Sequence, residues 1–312
     1  MKQGRWYLLS ALLLGCLFLI SWRVGGESAG LDSAVLTQLR LPRLLAAVAV
    51  GMGLSLAGAV MQSVFANSLC EPYTLGISSG ASLGAVVGTS LGLSLDFMGI
   101  AGGAFVGALA FMLVLYVMAS KRDIGNASLL LVGVMLGLFG SSLVTLWMAM
   151  SEANGIQGAI FWLLGDLSRV RLHGSLLLVA GVIALGAAVY SRHRALDALM
   201  LGEQEARSLG IDFSAERRRL IFLVSLLVAL CVSASGMIGF VGLVVPHFAR
   251  KLMGALHGRM LPLAALWGAI ALLLADFSVR NFAQPYEIPV GVVCALVGTP
   301  LFAWIFLKRE AV

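Results

Sequence analysis

Residues 44–64 read LLAAVAVGMGLSLAGAVMQSV, a run without a single charge. Wound as an α-helix at 1.5 Å per residue it is about 31 Å long, close to the thickness of a bilayer's hydrocarbon core. Comparable runs recur along almost the whole chain of 312 residues, of which 60% are hydrophobic and 12% charged. A soluble domain carries about a quarter charged residues. The expected fold is therefore all-α: one polytopic membrane domain over residues 1–312, with about ten transmembrane helices. They are placed near 7–22, 44–64, 76–91, 97–119, 129–150, 172–190, 220–238, 240–253, 261–275 and 288–307. The eighth is short enough to cross only in part.

The N-terminal MKQGRWYLLSALLLGCLFLISW has the basic start and apolar core of a secretory signal. No small-residue cleavage site follows it and further spans do, so it is read as the first span. Charge then sets orientation. Lys2, Arg5, Lys121, Arg122, Arg192, Arg194, Arg207, Arg217, Arg218, Arg219, Arg250, Lys251, Arg259, Lys308 and Arg309 fall on one side of the alternating spans. Arg23, Arg40, Arg43, Arg169, Arg171 and Arg280 fall on the other. The 15-to-6 split of these positions places both termini in the cytoplasm. Because these residues flank spans and form no basic arm, the net charge of +6 is read as orientation and not as nucleic-acid binding.

The spans are rich in small residues, as in GMGLSLAGAV (51–60) and GGAFVGALAF (102–111), which let helix backbones approach closely in lipid. Gly236 and Gly239, in ASGMIGFVG, fall between two apolar runs and mark a helix break. The isolated Cys16, Cys70, Cys231 and Cys294 signal neither a disulfide framework nor a metal knuckle and are read as buried small apolar residues.

Several chemistries are missing. No phosphate-binding loop of the form G-x-x-x-x-G-K-[ST] occurs, so ATP hydrolysis is not expected of this chain, and no catalytic residues are assigned. His173, His193, His247 and His257 are scattered near span ends, and no metal site is assigned. Met148 and Met150 read as apolar filler. Carboxylates are nearly absent from span centres, Asp276 being the nearest, which argues against an ion-coupled carrier. What remains is a pore driven from outside the chain. The polar stretch ALDALMLGEQEARSLGI (195–211) is a short amphipathic cytoplasmic element, broken by Gly202 and Gly210. It suits either the lipid interface or a groove on a partner. The acidic pair Glu203 and Glu205 tilts the choice toward a partner protein.

Four stretches, in order, resemble the FecCD-type permeases, the membrane subunits of type II ATP-binding-cassette importers for cobalamin, haem and iron siderophores. They are RLPRLLAAVAVGMGLSLAGAVMQSVFANSLCEPYTLGISSGASLGA (40–85), LGEQEARSLGI (201–211), GFVGLVVPHFARKLMG (239–254) and EIPVGVVCALVGTPLFAWIFLKR (287–309). The resemblance implies a multi-pass protein of the bacterial cytoplasmic (inner) membrane, a homodimer with the path at its two-fold axis. Its partners would be two copies of a cytoplasmic ATPase, which uses the ATP, and a substrate-binding protein on the outer face. No covalently bound cofactor is implied. Leu201, Gly202, Glu203, Glu205, Ala206, Arg207, Ser208, Leu209 and Gly210 would form the element that docks into the ATPase. Arg40, Arg43 and Arg280 would pair with acidic residues of the binding protein; interfacial snorkelling is the blander account of them.

NSLCEPYTLG matches a family pattern close to N-P-L-A-D-P-x-x-L-G, with Ser68, Cys70 and Glu71 in place of Pro, Ala and Asp. Asn67 and Leu69 would narrow a cytoplasmic gate. Asn126 is a further gate candidate, with helix capping as the alternative. His247, in VPHFARK, is read as structural rather than as a haem ligand. Iron chelates, haem included, rank ahead of corrinoids as cargo on family breadth alone, and a self-driven secondary transporter is the rival class.

Overall fold

The computed structural model describes residues 2–24, 35–90, 97–120, 125–151, 159–282 and 288–310. Lys121 and Arg122, two of the residues that set the expected orientation, lie outside this set, as do Leu91 and Glu287. The described residues form helices and connecting turns, with no strand among them.

In chain order the helices are α1 (Lys2–Arg23), α2 (Leu41–Val64), α3 (Ile77–Ser90), α4 (Phe97–Ala119), α5 (Asn126–Met150) and α6 (Leu172–Tyr190). They continue with α7 (His193–Leu199), α8 (Glu203–Ser208), α9 (Phe213–Ser235), α10 (Val241–Met253), α11 (His257–Phe282) and α12 (Val290–Glu310). A π-helical turn, Leu36–Arg40, leads into α2, and a 3-10 turn, Pro72–Leu75, precedes α3. Among the described residues seven helices are long and apolar enough to cross a membrane: α1, α2 with its π turn, α4, α5, α6, α9 and α11.

Three of the ten expected spans have a different character. The described part of α3 has 14 residues and α10 has 13, which gives each about 20 Å of helix, shorter than the hydrocarbon core. The last span contributes a shorter apolar stretch, Val290–Ile305. The break that shortens α10 is where the glycines place it: α9 ends at Ser235, and Gly236 takes φ 67°. Phe240, at the N-cap of α10, adopts the left-handed region at φ 68°, uncommon for an aromatic residue.

α2 is the axis of the bundle. Of the stretch that crosses, 83% is buried, against 11% for α1 at the periphery. A helix apolar on all sides belongs in a core, and α2 packs against α6, α9, α10 and α11. Small residues make the packing possible. A Cβ on Gly51 would strike the backbone of Gly268 in α11, and one on Gly58 the backbone of Gly242 in α10. Gly80 and Gly84 of α3 meet Gly103 and Gly107 of α4 in the same way. Cys70, Cys231 and Cys294 are buried as expected, but Cys16, on α1, is exposed.

Candidate functional site

Polar side chains gather at the two ends of the bundle. At one end Asp276, in the sixth turn of α11, is fully buried between two arginines. Arg43 Nε, from the first turn of α2, donates to Asp276 Oδ1 at 2.5 Å, and Arg280 Nε, one turn along α11, donates to Oδ2 at 2.9 Å. Arg280 also donates to the Ser21 carbonyl (3.2 Å), and Arg40 to the Trp22 carbonyl (3.1 Å), which ties in the end of α1. The three arginines singled out in the sequence thus share one end. They are partly buried there and make bonds within the chain, a role that sequence reasoning did not foresee.

The opposite end carries the polar element. α7 packs inward through Leu196 and Leu199. Gly202, at φ 109°, opens α8. Gly210, at φ 77°, closes it with two bonds, Ile211 N–H to the Ala206 carbonyl (3.0 Å) and Gly210 N–H to that of Arg207 (2.9 Å). Of α8 only Ala206 is buried; Glu203, Gln204, Glu205, Arg207 and Ser208 are exposed. Glu203 and Arg207 pair at 2.6 Å across one turn, and Leu201 and Leu209 stand out on either side, about 60% exposed. The helix thus turns its acids outward, with an exposed apolar residue on either side. Asp212 caps α9 through the Ala215 N–H at 3.0 Å, a bond that holds its carboxyl below the usual range.

Beside this element lies the end of α2. The helix closes on Ala66 in the left-handed region at φ 48°. Ala66 N–H bonds to the Ser63 carbonyl (3.2 Å) and Asn67 N–H to that of Gln62 (3.0 Å). Asn67 Oδ1 then accepts the Leu69 N–H at 2.9 Å, leaving the Leu69 side chain half exposed. Asn126 is not a helix cap: Gly125 holds that position in α5. Its Nδ2 donates to the Val64 carbonyl (2.9 Å) and its Oδ1 accepts from Arg217 of α9 (3.1 Å), so it clamps α2 to α9. The structure therefore brings Asn67, Leu69 and Asn126 around one helix end.

Past that turn the chain folds back into the bundle. Glu71 Oε1 accepts the Phe240 N–H at the start of α10 (2.5 Å), and the Tyr73 hydroxyl donates to the Ile238 carbonyl at 2.7 Å. Burial pushes the Glu71 carboxyl up, partly offset by the Phe240 bond. Gln62 donates to the carbonyls of Gly242 and Leu243 and accepts from Arg250. A second group, the buried His257 and Ser63 with the partly exposed Asp197, joins α7, α11 and α2. Sequence reasoning missed Glu71, Gln62, Asp197, His257 and Ser63 as contributors; the only hints were an acid within the polar stretch and a histidine where a span begins.

The comparisons with known proteins agree with this architecture. The model of the FecCD transport family matches residues 5–308. The vitamin B12 import system permease protein BtuC of Vibrio cholerae serotype O1 is 40% identical, over 99% of this chain and 96% of its own. The uncharacterized ABC transporter permease protein YvrB of Bacillus subtilis (strain 168) is 37% identical, over 94% and 86%. A chain from a structure titled as an inward-facing conformation of a metal-chelate type ABC transporter superposes with a TM-score of 0.90. It is 32% identical and covers 98% of this chain and 99% of its own. A polar cluster at each end, a buried central helix and this end-to-end likeness have one source: the chain belongs to the FecCD transport family, as a membrane permease of the ABC importer kind.

Proposed function

We propose that the chain is the membrane-spanning subunit of an ATP-driven importer of corrinoids, acting as a homodimer in the bacterial inner membrane with both termini in the cytoplasm. The observation that carries the cargo is the 40% end-to-end identity to a vitamin B12 import permease. Family breadth alone ranks iron chelates and haem first; relatives that bear the B12 name over nearly their whole length reverse that order. Corrinoids are themselves cobalt chelates, so the metal-chelate title of the structural neighbour is compatible with this reading.

In this reading α7 and α8 meet a separate cytoplasmic ATPase through Leu201, Gly202, Glu203, Glu205, Ala206, Arg207, Ser208, Leu209 and Gly210. ATP binding and hydrolysis there shift the element, and the turn bearing Asn67 and Leu69, clamped by Asn126, opens or closes the cytoplasmic mouth. Arg40, Arg43 and Arg280 present positive charge to the acidic lobes of a binding protein on the outer face. The scarcity of charge within the spans suits a path that a bulky cargo must also be able to leave. The whole chain works as one transmembrane domain.

The test is uptake by vesicles containing the permease with its co-purified ATPase and binding protein. Labelled cyanocobalamin should accumulate with ATP, should stop with vanadate, and should be indifferent to an uncoupler. Preferential uptake of a ferric siderophore or haem would restore the first ranking. Uptake abolished by an uncoupler alone would return the secondary-transporter class.

A further inference from the structure

One buried line of hydrogen bonds has no part in the gate or docking assignments above. Asp197 lies in α7, next to the exposed α8. Its Oδ1 accepts the backbone N–H of His257 at 2.9 Å and lies 2.6 Å from His257 Nδ1. On the far side of the ring, Nε2 is 2.6 Å from Ser63 Oγ, which in turn is 2.9 Å from the Ala59 carbonyl. His257 is completely buried and Ser63 nearly so, at 0% and 1% exposure. Their seclusion, with the serine also bonded to its own helix, leaves no room for a substrate and removes a hydrolytic reading of this Ser-His-Asp set.

We infer that Asp197, His257 and Ser63 form the mechanical joint that delivers movement of the α7–α8 element to the gate end of α2, with His257 as the positioning residue. This rests on the importer reading above. Apolar contacts between helices can slide. The buried imidazole and serine have no water to exchange with, so a shift of α7 either draws the serine along or strands polar groups in the interior. The imidazole is a rigid planar spacer whose two nitrogens face different elements. The movement has somewhere to go: the Ser63 and Gln62 carbonyls receive the N–H groups of Ala66 and Asn67, and Asn67 holds the Leu69 N–H. Asp197 thus reaches the gate turn through one side chain and one helix end.

The experiment uses the full chain with its co-purified ATPase and binding protein in vesicles. Cyanocobalamin uptake and phosphate release are measured together, with a ferric hydroxamate siderophore and haem as alternative cargo. Ser63→Ala and Asp197→Ala should each lower cargo moved per ATP about tenfold, the equivalent of one buried hydrogen bond, while assembly and hydrolysis persist. The double variant should be no worse than the poorer single, because both cut one line. Ser63→Thr, which restores the hydroxyl, should recover most of the yield. Asp197→Ala, at a partly exposed position, carries the test if Ser63→Ala does not assemble. A normal yield in the single variants, multiplying losses in the double, or a threonine variant as poor as alanine overturns the joint alone. A wild-type complex without ATP-driven uptake overturns the importer reading, and the joint with it.

Discussion

The two polar ends of the bundle use charge in opposite ways. At the α11 C-terminal end Asp276 is buried and answered by Arg43 and Arg280, whose side chains are 20% and 13% exposed. At the α8 end Glu203 and Arg207 form an exposed pair at the tip of a six-residue helix, and Glu205 beside them also faces outward. A buried ion pair costs desolvation of both partners and becomes a liability when one is removed, whereas an exposed pair contributes little to stability. The ion pairs of the first end are thus tied to folding, even though two arginines answer one carboxylate and leave positive charge over for a partner. The second end contributes little to folding and is left to recognition alone.

This contrast ranks variants by their effect on stability. Asp276→Ala strands two partly buried arginines and should destabilise the protein by about 3–5 kcal/mol, read as a lowered melting temperature in detergent. Wild-type melting would break the contrast. Glu71→Ala leaves the Phe240 N–H without its acceptor and should cost about 1–3 kcal/mol, while Glu71→Gln keeps an acceptor oxygen and should cost less. The pH dependence separates the two forms further. Burial raises the Glu71 pKa in the folded protein, so its contribution is most favourable in acid and is lost as pH rises through that value. Wild type should therefore gain on Glu71→Gln as the pH falls.

Asp212 has the reverse sign. The Ala215 N–H lowers its folded pKa, so its stabilisation is complete above the ordinary aspartate range and is lost as pH falls through the lowered value. Asp212→Ala should lower the melting temperature slightly at neutral pH and match wild type in strong acid. Smallest of all on stability, Glu203→Arg combined with Glu205→Arg should melt within about 2 °C of wild type. The same protein should no longer hold a partner ATPase in a mild-detergent pull-down, and normal retention would remove α8 from that role.

The sequence reveals these features to different degrees. Apolar length alone locates seven crossing helices, because each must satisfy its own backbone over the full hydrocarbon thickness. Among the described residues α3 and α10 are as apolar as the spans but run only 14 and 13 residues, a difference in length that composition does not reveal. Gly202, Gly210 and Gly236 are legible because each takes a positive φ that other residues avoid. Glu71 is hidden for the opposite reason: it sits in a polar turn, and only the folded chain returns it to Phe240, 169 residues away. Asp197 and Ser63 are separated from His257 by 60 and 194 residues, so no local pattern connects them. For the arginines, side bias identifies an end of the bundle but not whether the charge is already answered within the chain.

α11 has a further consequence through its length. Its 26 residues make a rod about 39 Å long, with His257 at its first turn and Asp276 near its last. A tilt of about 3° around its midpoint carries the His257 tip about 1 Å and Asp276, about 10 Å from the midpoint, about half as far in the opposite direction. One ångström takes a hydrogen bond of ordinary length out of range. If α11 tilts as one rod it is a balance beam: whatever loads one pan is weighed at the other, and by reciprocity of linked equilibria the same free energy is exchanged whichever pan is loaded first.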